Sequence, residues 1–190
     1  MFTLNNEDLQ CIFDSAGKSV IVNDTKMNVI ITNPAISECE ERYIHSLQKV
    51  SRGDMVTLED EPYLCITESV TKRSSKFKTL IRHCNFNIEI PGEQVCTIIG
   101  YNSFDEPIEE CTYGEPTLVP SIIDNKTLSV DGQSAIRLAE NQIEVIVQDN
   151  EVNSEKFTVN FTFNVMGKSW RVVDVDLCKS GLMILTCEKV

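Results

Sequence analysis

The sequence predicts an all-β protein of two tandem, related, small antiparallel β-barrel or sandwich modules with a short N-terminal helix. Short apolar stretches with strand-like alternation recur along the chain, separated by turn residues, and helix signals are few. In addition, residues 52–84 and 159–187 share one pattern: a strand, a tight turn, an aromatic-led strand, a loop and a last strand. Regular short strands and an internal copy indicate a duplicated β module.

The two copies correspond along their length once the loop of the first copy is shortened. Tyr63 then falls on Trp170, Cys84 falls on Cys187, and the turn at 60–61 falls on the turn at 167–168. A duplicated β module without a catalytic cluster favours a building block over an enzyme.

The first module is predicted to span residues 1–90. Its helix lies within 5–16, where apolar residues have helical spacing, and strands follow at 19–22 and 26–31. The segment 37–47 fits either helix-like intervals or an irregular loop. Further strands are expected at 55–58, at 63–69 and across 77–90, the last as one long strand or a bent pair.

Residues 91–116 are predicted to connect the modules. They are acidic, contain Pro107 and Pro116, and have one apolar run at 95–99 but no clear periodicity. Because this length exceeds that of a usual connector, the segment is expected to be a linker or a functional loop that reaches a neighbour.

The second module is predicted to span residues 117–190 and to be built from short strands. Alternating or apolar runs place these strands, in chain order, at 117–123, 125–130, 142–148, 156–165, 170–175 and 181–188.

Charge argues against nonspecific binding to a phosphate backbone, because the 190 residues carry a formal net charge of −12. One basic stretch stands out, formed by Lys72, Arg73, Lys76 and Lys78. It fits a solvated hairpin loop, or a surface that touches an acidic partner or nucleic acid. On so acidic a chain, charge-steered docking between like subunits or neighbours is the better functional interpretation.

Catalytic and ligand-binding patterns are missing from the sequence. We find neither a glycine-rich phosphate loop nor a serine-nucleophile motif, and the acidic pairs fall in turns. We therefore expect no enzymatic activity, no cofactor and no metal. The eight cysteines lack metal-ligand spacing, and the N-terminus does not resemble a secretory signal, so most cysteines are expected to be reduced core residues.

Tyr63 and Trp170 are the aromatic anchors of the repeat, each at the start of a strand just after its turn. They fit core or rim residues that seal a barrel. The alternative is an interface role, since Tyr and Trp concentrate at protein contacts. The candidate interface set is therefore Tyr63, Lys72, Arg73, Lys76, Lys78 and Trp170.

Several strings together resemble a family of small structural proteins of tailed bacteriophages and prophages of Gram-positive bacteria. They include IITNP at 30–34, Arg52-Gly53-Asp54, Ile81-Arg82-x-Cys84-Asn85, Met166-Gly167-x-x-Trp170 and GLMILTCEK at 181–189. The resemblance covers nearly the whole chain and brings no catalytic residues with it.

The resemblance implies a virion component, assembled in the host cytoplasm, and in particular a head–tail connector at the neck: a stopper, head-completion or adaptor protein. The implied partners are copies of itself in a ring and neighbouring portal, adaptor or tail proteins. DNA would pass through the ring without specific binding, and no membrane would be involved. Alternatives are a tail, baseplate or decoration component, a β-barrel module that binds a peptide or nucleic acid, and a hydrolase with an unfamiliar site.

Overall fold

The computed structural model describes residues 6–36, 39–71, 76–125 and 142–190. Two helices lie in these residues, α1 (Asn6–Ala16) and α2 (Glu151–Lys156). The strands of the first part of the chain are β1 (Lys18–Val22), β2 (Thr25–Thr32), β3 (Glu41–Ser46), β4 (Met55–Leu58), β5 (Glu61–Cys65), β6 (Val70–Thr71), β7 (Phe77–His83) and β8 (Phe86–Ile90). The later strands are β9 (Gln94–Tyr101), β10 (Pro107–Tyr113), β11 (Thr117–Asn125), β12 (Gln142–Gln148), β13 (Thr162–Val165), β14 (Lys168–Asp176) and β15 (Leu182–Lys189).

The first module is a closed antiparallel barrel. Its strands follow the order β3-β2-β1-β4-β5-β7-β6, and an additional pairing of β3 with β7 closes the circle. Alternating side chains from these strands fill the interior, and they include Val29, Ile44, Val56, Tyr63 and Ile81. The fold class expected from the sequence is confirmed for this module.

The second module is a six-stranded antiparallel sheet that curls on itself. Its order is β13-β14-β15-β12-β11-β8, and the two terminal strands of this order, β8 and β13, lie side by side. The core inside the curl contains Trp170 and a group of three phenylalanines, Phe157, Phe161 and Phe163, whose rings are mutually in contact. Burial of such aromatic side chains is a large part of what stabilises a small β module.

Three tight hairpins have backbone conformations that the sequence signals only in part. The central pairs of their turns, Asn23-Asp24, Glu59-Asp60 and Met166-Gly167, all have positive φ. Two consecutive residues with positive φ make a turn whose twist matches that of the flanking strands. Each turn therefore sets the register of its hairpin, β1–β2, β4–β5 and β13–β14 respectively.

The internal copy is visible in the structure. Val56 lies opposite Tyr63 in the β4–β5 hairpin, and Phe163 lies opposite Trp170 in the β13–β14 hairpin. In each copy the third strand then pairs antiparallel with the second, β7 with β5 and β15 with β14. The copies differ further along, because a register shift interrupts the β14–β15 pairing between Val172 and Asp174.

A third core joins the modules. Leu64, Cys84, Ile122, Ile146, Leu182 and Ile184 are buried together, on strands that come from both sheets. Polar contacts surround this core: the Arg82 guanidinium donates to a carboxylate oxygen of Asp124, and Asn85 hydrogen-bonds both the N–H and the C=O of Ile123. The two modules therefore share buried surface and pack as one body.

The boundary between the modules differs from the prediction. The 77–90 segment is a bent pair, and its second strand, β8, pairs with β11 in the second sheet. The first module thus ends near Cys84, not at residue 90. The reason is the bend at Cys84-Asn85, where Asn85 satisfies the backbone of Ile123 and directs the chain into the other sheet.

Three other local predictions change. The segment 91–116 is a β-hairpin, β9–β10, and not a connecting loop. The segment 37–47, expected to be helix-like or an irregular loop, contains the strand β3 in its described part. Of the strand expected at 156–165 only β13 forms, because Asn150 caps a short helix by accepting a hydrogen bond from the N–H of Asn153 at 2.8 Å. Most of the strand expected at 125–130 lies outside the described residues.

Candidate assembly surface

The hairpin of β9 and β10 is inserted in the chain between β8 and β11 of the second module, and we call residues 94–113 the arm. Its strands pair with each other in a separate two-stranded sheet and with no other strand of the described chain. Every residue of both strands is exposed except Gly100, which is half-buried. The arm therefore has no packing partner within the described part of the molecule.

The arm carries large apolar side chains on this open surface. They are Val95, Ile98, Ile99, Tyr101, Phe104, Ile108 and Tyr113, and Phe104 at the tip is 83% exposed. Isolated two-stranded hairpins are marginally stable in water, and contiguous exposed apolar surface commonly marks an interaction site. Both properties make the arm a candidate interaction surface of the described chain.

Local contacts hold the arm in shape. A disulfide joins Cys96 and Cys111, which lie directly opposite each other on the two strands. At the tip, the Asn102 side-chain oxygen accepts hydrogen bonds from the N–H groups of Phe104 and Glu106, at 2.9 and 3.0 Å. An Asx-type turn of this kind fixes the loop without help from the rest of the protein.

The cysteines divide into three groups. Cys65, Cys84 and Cys187 are free and buried, as expected, and burial raises the pKa of Cys84 and of Cys187 to about 12. The disulfide of the arm departs from the expectation that most cysteines are reduced core residues. Cys11 and Cys178 are free and exposed, and Cys39 is half-buried.

The arm is acidic as well as apolar. Asp105, Glu106, Glu109 and Glu110 lie within it, and residues 94–113 contain no lysine, arginine or histidine. Glu109 pairs across the ladder with Ile98, and Glu110 pairs with Thr97, so the two carboxylates lie on opposite faces. A partner that covers either face must therefore meet a negative charge next to apolar side chains.

Four lysines stand at one end of the first barrel by their strand positions, and we call them the basic side: Lys26 in β2, Lys49 after β3, Lys76 directly before β7 and Lys78 in β7. Ser46 at the end of β3 pairs with Phe77 at the start of β7, and Lys26 stands near the start of β2 at the same end of the barrel. None of the four lysines forms a salt bridge with any described residue.

Neighbouring groups show the effect of this charge. The Lys78 ammonium lies 3.6 Å from the centre of the Tyr43 ring, a cation–π contact that holds the side chain against the barrel. The pKa of His45 is lowered, first by burial and then by the positive charges of Lys78 and Lys76. His45 therefore stays neutral at pH 7 and does not add to the basic side.

The sequence-derived interface residues are distributed unevenly. Lys76 and Lys78 are half-buried at the edge of the basic side. Lys72 and Arg73 lie outside the described residues. An interface role for these four residues stays a prediction.

Tyr63 and Trp170 lie in the cores of the two modules, each 3% exposed. The Trp170 indole N–H donates to the carbonyl oxygen of Val165 at 3.3 Å, and the Tyr63 hydroxyl donates to a carboxylate oxygen of Glu40 at 2.7 Å. Both residues therefore seal the cores of their modules, and neither exposes enough surface to contact a partner.

The rim around Tyr63 contains a polar network. Arg42 donates to the same Glu40 oxygen at 2.9 Å, and the His83 ring packs edge-on against Tyr63. The hydrogen bonds from Tyr63 and Arg42 lower the pKa of Glu40, and burial followed by the Glu40 contact raises that of Tyr63 to about 12. Glu40 therefore stays ionised and Tyr63 stays neutral at pH 7, which suits a structural ion-pair network more than proton transfer.

One group within the described residues is close enough to hold a metal ion, and it lies on the arm. Potential ligand atoms of Cys96, Glu109 and Cys111 all lie within 4.8 Å of one another. In the disulfide form the two sulfurs are bonded to each other and supply no thiolate ligand. The same cysteines therefore serve as a covalent link between the strands.

None of the helices in the described segments is long and apolar enough to span a bilayer.

Comparison with known families identifies the group of proteins to which the chain is related. A family model described as the YomX C-terminal domain matches residues 65–188, and one described as the YomX N-terminal domain matches residues 1–83. The chain belongs to the YomX family. The N-terminal match ends next to the bend at Cys84-Asn85, where the chain leaves the first barrel.

A curated YomX relative gives the biological context. The chain is 26% identical over 169 residues to the "SPbeta prophage-derived uncharacterized protein YomX" of Bacillus subtilis (strain 168), a match that covers 85% of this chain and 76% of the relative. No solved structure matches significantly. The YomX matches support the broader expectation from the sequence, a phage or prophage protein. A place at the head–tail connector stays a prediction.

Proposed function

We propose that this YomX-family chain is a non-enzymatic structural protein of the virion. Its proposed place is the neck of a tailed phage, as a ring subunit of the stopper, head-completion or adaptor type. The observation that carries the proposal is the arm, an apolar and acidic hairpin without a packing partner in the described chain. Such an element is best explained by a contact with a neighbouring subunit.

The rest of the fold supports this role. Two barrels joined by a buried core form a stiff body, and a stiff body positions an exposed hairpin for repeated contacts in an assembly. The polar network around Tyr63 is a set of fixed ion pairs and hydrogen bonds, which also fits a structural protein. The proposal includes no catalytic step and no cofactor.

The net charge fits a ring around a DNA channel. At −12 the chain repels a phosphate backbone, so DNA could pass through a ring of such subunits without being held. The proposed partners are copies of the chain and the neighbouring portal, adaptor or tail proteins.

Cryo-electron microscopy of intact particles from the phage that encodes the chain tests the proposal. We expect density for the two barrels in a ring at the portal vertex. Density in the tail, the baseplate or the capsid surface would keep the structural class and reject the neck. Absence from the particle would reject a virion role and favour a β-barrel module that binds a peptide or nucleic acid.

An arm-less variant links the test to the structure. Ile90 and Thr117 lie opposite each other in the β8–β11 ladder, so residues 93–114 can be replaced by a short glycine-containing turn. We expect this variant to fold and to be missing from particles when it is the only copy supplied. The matched control is Met166→Asn, which changes an exposed turn elsewhere and keeps a residue that tolerates positive φ.

A further inference from the structure

We propose that the arm of one copy docks on the basic side of the first module of a second copy. This inference rests on the proposed ring and names the contact that would build it. The arm presents carboxylates and apolar side chains, and the basic side presents lysines that form no salt bridge with a described residue. The two surfaces therefore have complementary charges.

Charge complementarity is the first support. The arm has four acidic residues and no basic residue within 94–113, so it forms an entirely negative projection. All described arginines, by contrast, form salt bridges within the chain: Arg42, Arg52, Arg82 and Arg171. Among the described lysines of the first module, Lys18 is paired with Glu59, and those of the basic side are left as counter-charges for a docked arm.

The strand edges are the second support. Both outer edges of the β9–β10 pair are free of ladder partners in the described chain, and the faces between them are also uncovered. Exposed edges with apolar side chains tend to associate unless something covers them. A second copy of the chain can cover these edges, and it is present wherever the arm is present.

The geometry is the third support. The arm is inserted in the second module, between β8 and β11, whereas the basic side belongs to the first module. A contact between two different surfaces of like subunits is head-to-tail, and repeated head-to-tail contacts generate a closed ring when the rotation closes. An arm-to-basic-side contact therefore predicts cyclic assembly, not a two-fold dimer.

Zero-length cross-linking of carboxylates to lysines tests the contact directly on the full chain. Isotopically heavy and light copies are mixed at high concentration, so that heavy–light peptides report links between copies. We expect heavy–light links from Glu109 or Glu110 to Lys49 or Lys76. Links confined to single copies, or no link from the arm to the basic side, would overturn the inference.

Charge reversal gives the matching functional test. Glu109→Lys with Glu110→Lys, and separately Lys49→Glu with Lys76→Glu, should each weaken self-association measured by sedimentation by about tenfold or more. Mixing the two variants should restore it, because reversed arms then meet reversed basic sides. The control is Glu155→Lys with Asp174→Lys, which gives the same charge change as the arm variant but at exposed positions of the second module.

Each outcome separates this inference from the proposed function. If the mixture fails to restore association, or the control pair weakens it equally, specific docking on a second copy is rejected. A ring in the particle whose arms contact another protein would keep the proposed function and reject the inference. If mixing restores association but the chain is missing from particles, the inference stands and the virion role is rejected.

Discussion

Gly53 lies back to back with Gly181 where the two modules meet. A Cβ atom on Gly53 would stand 2.0 Å from the carbonyl oxygen of Gly181, and one on Gly181 would stand 2.2 Å from the carbonyl oxygen of Arg52. Both glycines also have positive φ, +89° and +86°. Beside them the Arg52 side chain donates to the carbonyl oxygen of Ser180 at 2.9 Å. This close approach of two backbones holds the modules together and admits no side chain.

Gly181→Ala should therefore destabilise the protein by at least about 2 kcal/mol, since it combines backbone strain with a clash against fixed backbone. Urea unfolding followed through Trp170 measures the change in free energy.

Two other glycines serve as controls for Gly181→Ala. Gly167 has positive φ but open space around it, so Gly167→Ala should cost only about 1 kcal/mol of strain. Gly100 has open space and no positive φ, and Gly100→Ala should be neutral. Equal losses at Gly181 and Gly167 would show that the clash between the modules contributes nothing.

The Arg82–Asp124 ion pair also ties the modules together. Burial alone would lower the pKa of Arg82, but the hydrogen bond and the charge of Asp124 outweigh it and raise the pKa. Arg82→Met leaves the Asp124 carboxylate without its partner and should cost about 1–3 kcal/mol. Urea unfolding of this variant, of Asp124→Asn and of the double variant gives the coupling between the two residues.

The matched control for this pair is Arg171→Met. Arg171 and Glu188 form an ion pair on the second module, but the Arg171 side chain is 46% exposed against 15% for Arg82. Solvent screens such a pair, and its loss should cost less than about 1 kcal/mol. A larger loss at Arg171 than at Arg82 would contradict a stabilising role for the contact between the modules.

Much of the fold could be predicted because the spacing of apolar residues along a strand and the residue types of turns are local properties. The strands β1, β2, β4, β12 and β15 form within a residue or so of their predicted limits. The correspondence of Tyr63 with Trp170 is confirmed as an equivalent place in two hairpins. Local patterns suffice there, since one face of each strand lies in its own barrel.

The shared core between the modules could not be predicted from alternation. Three consecutive residues of β5, Tyr63 to Cys65, are buried, and so are four of β15, Leu182 to Leu185. Continuous apolar runs indicate strands buried on both faces, but they do not say what covers the second face. That cover comes from residues far away in the chain, such as Ile122 and Ile146.

The arm could not be predicted from the sequence for a different reason. Neither face of the hairpin packs on a core. Apolar and polar residues therefore do not alternate clearly along its strands, and the sequence shows no buried face. The usable signals were Cys96 and Cys111, opposite each other across the pair, and the Asn102 turn between the strands. Charge alone identifies Lys76 and Lys78 as interface candidates, whereas only the barrel fold places Lys26 and Lys49 at the same end as them.

The disulfide of the arm should stabilise the arm and not the barrels. Cys96 and Cys111 are separated by 15 residues, and a loop of that length contributes up to about 3 kcal/mol against opening. With both replaced by Ser, we expect proteolysis within residues 94–113 to become about tenfold faster or more. The fluorescence of Trp170, buried in the second module, should not change.

The control for the arm disulfide replaces the two exposed free cysteines, Cys11 and Cys178, with Ser. Proteolysis of the arm should stay at the wild-type rate in this variant. A change in Trp170 emission on loss of the disulfide would show that the arm is coupled to the barrel core, contrary to the prediction.

Tyr63 should make stability depend on pH in the alkaline range. Its pKa is raised from 10.0 to about 12, first by burial and then by the hydrogen bond to Glu40, so the folded state favours the neutral phenol. The resulting stabilisation is fully present below pH 10 and is lost as the pH rises toward 12. The free energy of unfolding should thus fall more steeply over this range in the wild type than in Tyr63→Phe. Parallel curves would contradict the prediction, and Tyr101→Phe on the exposed arm is the matched control, expected to follow the wild type throughout.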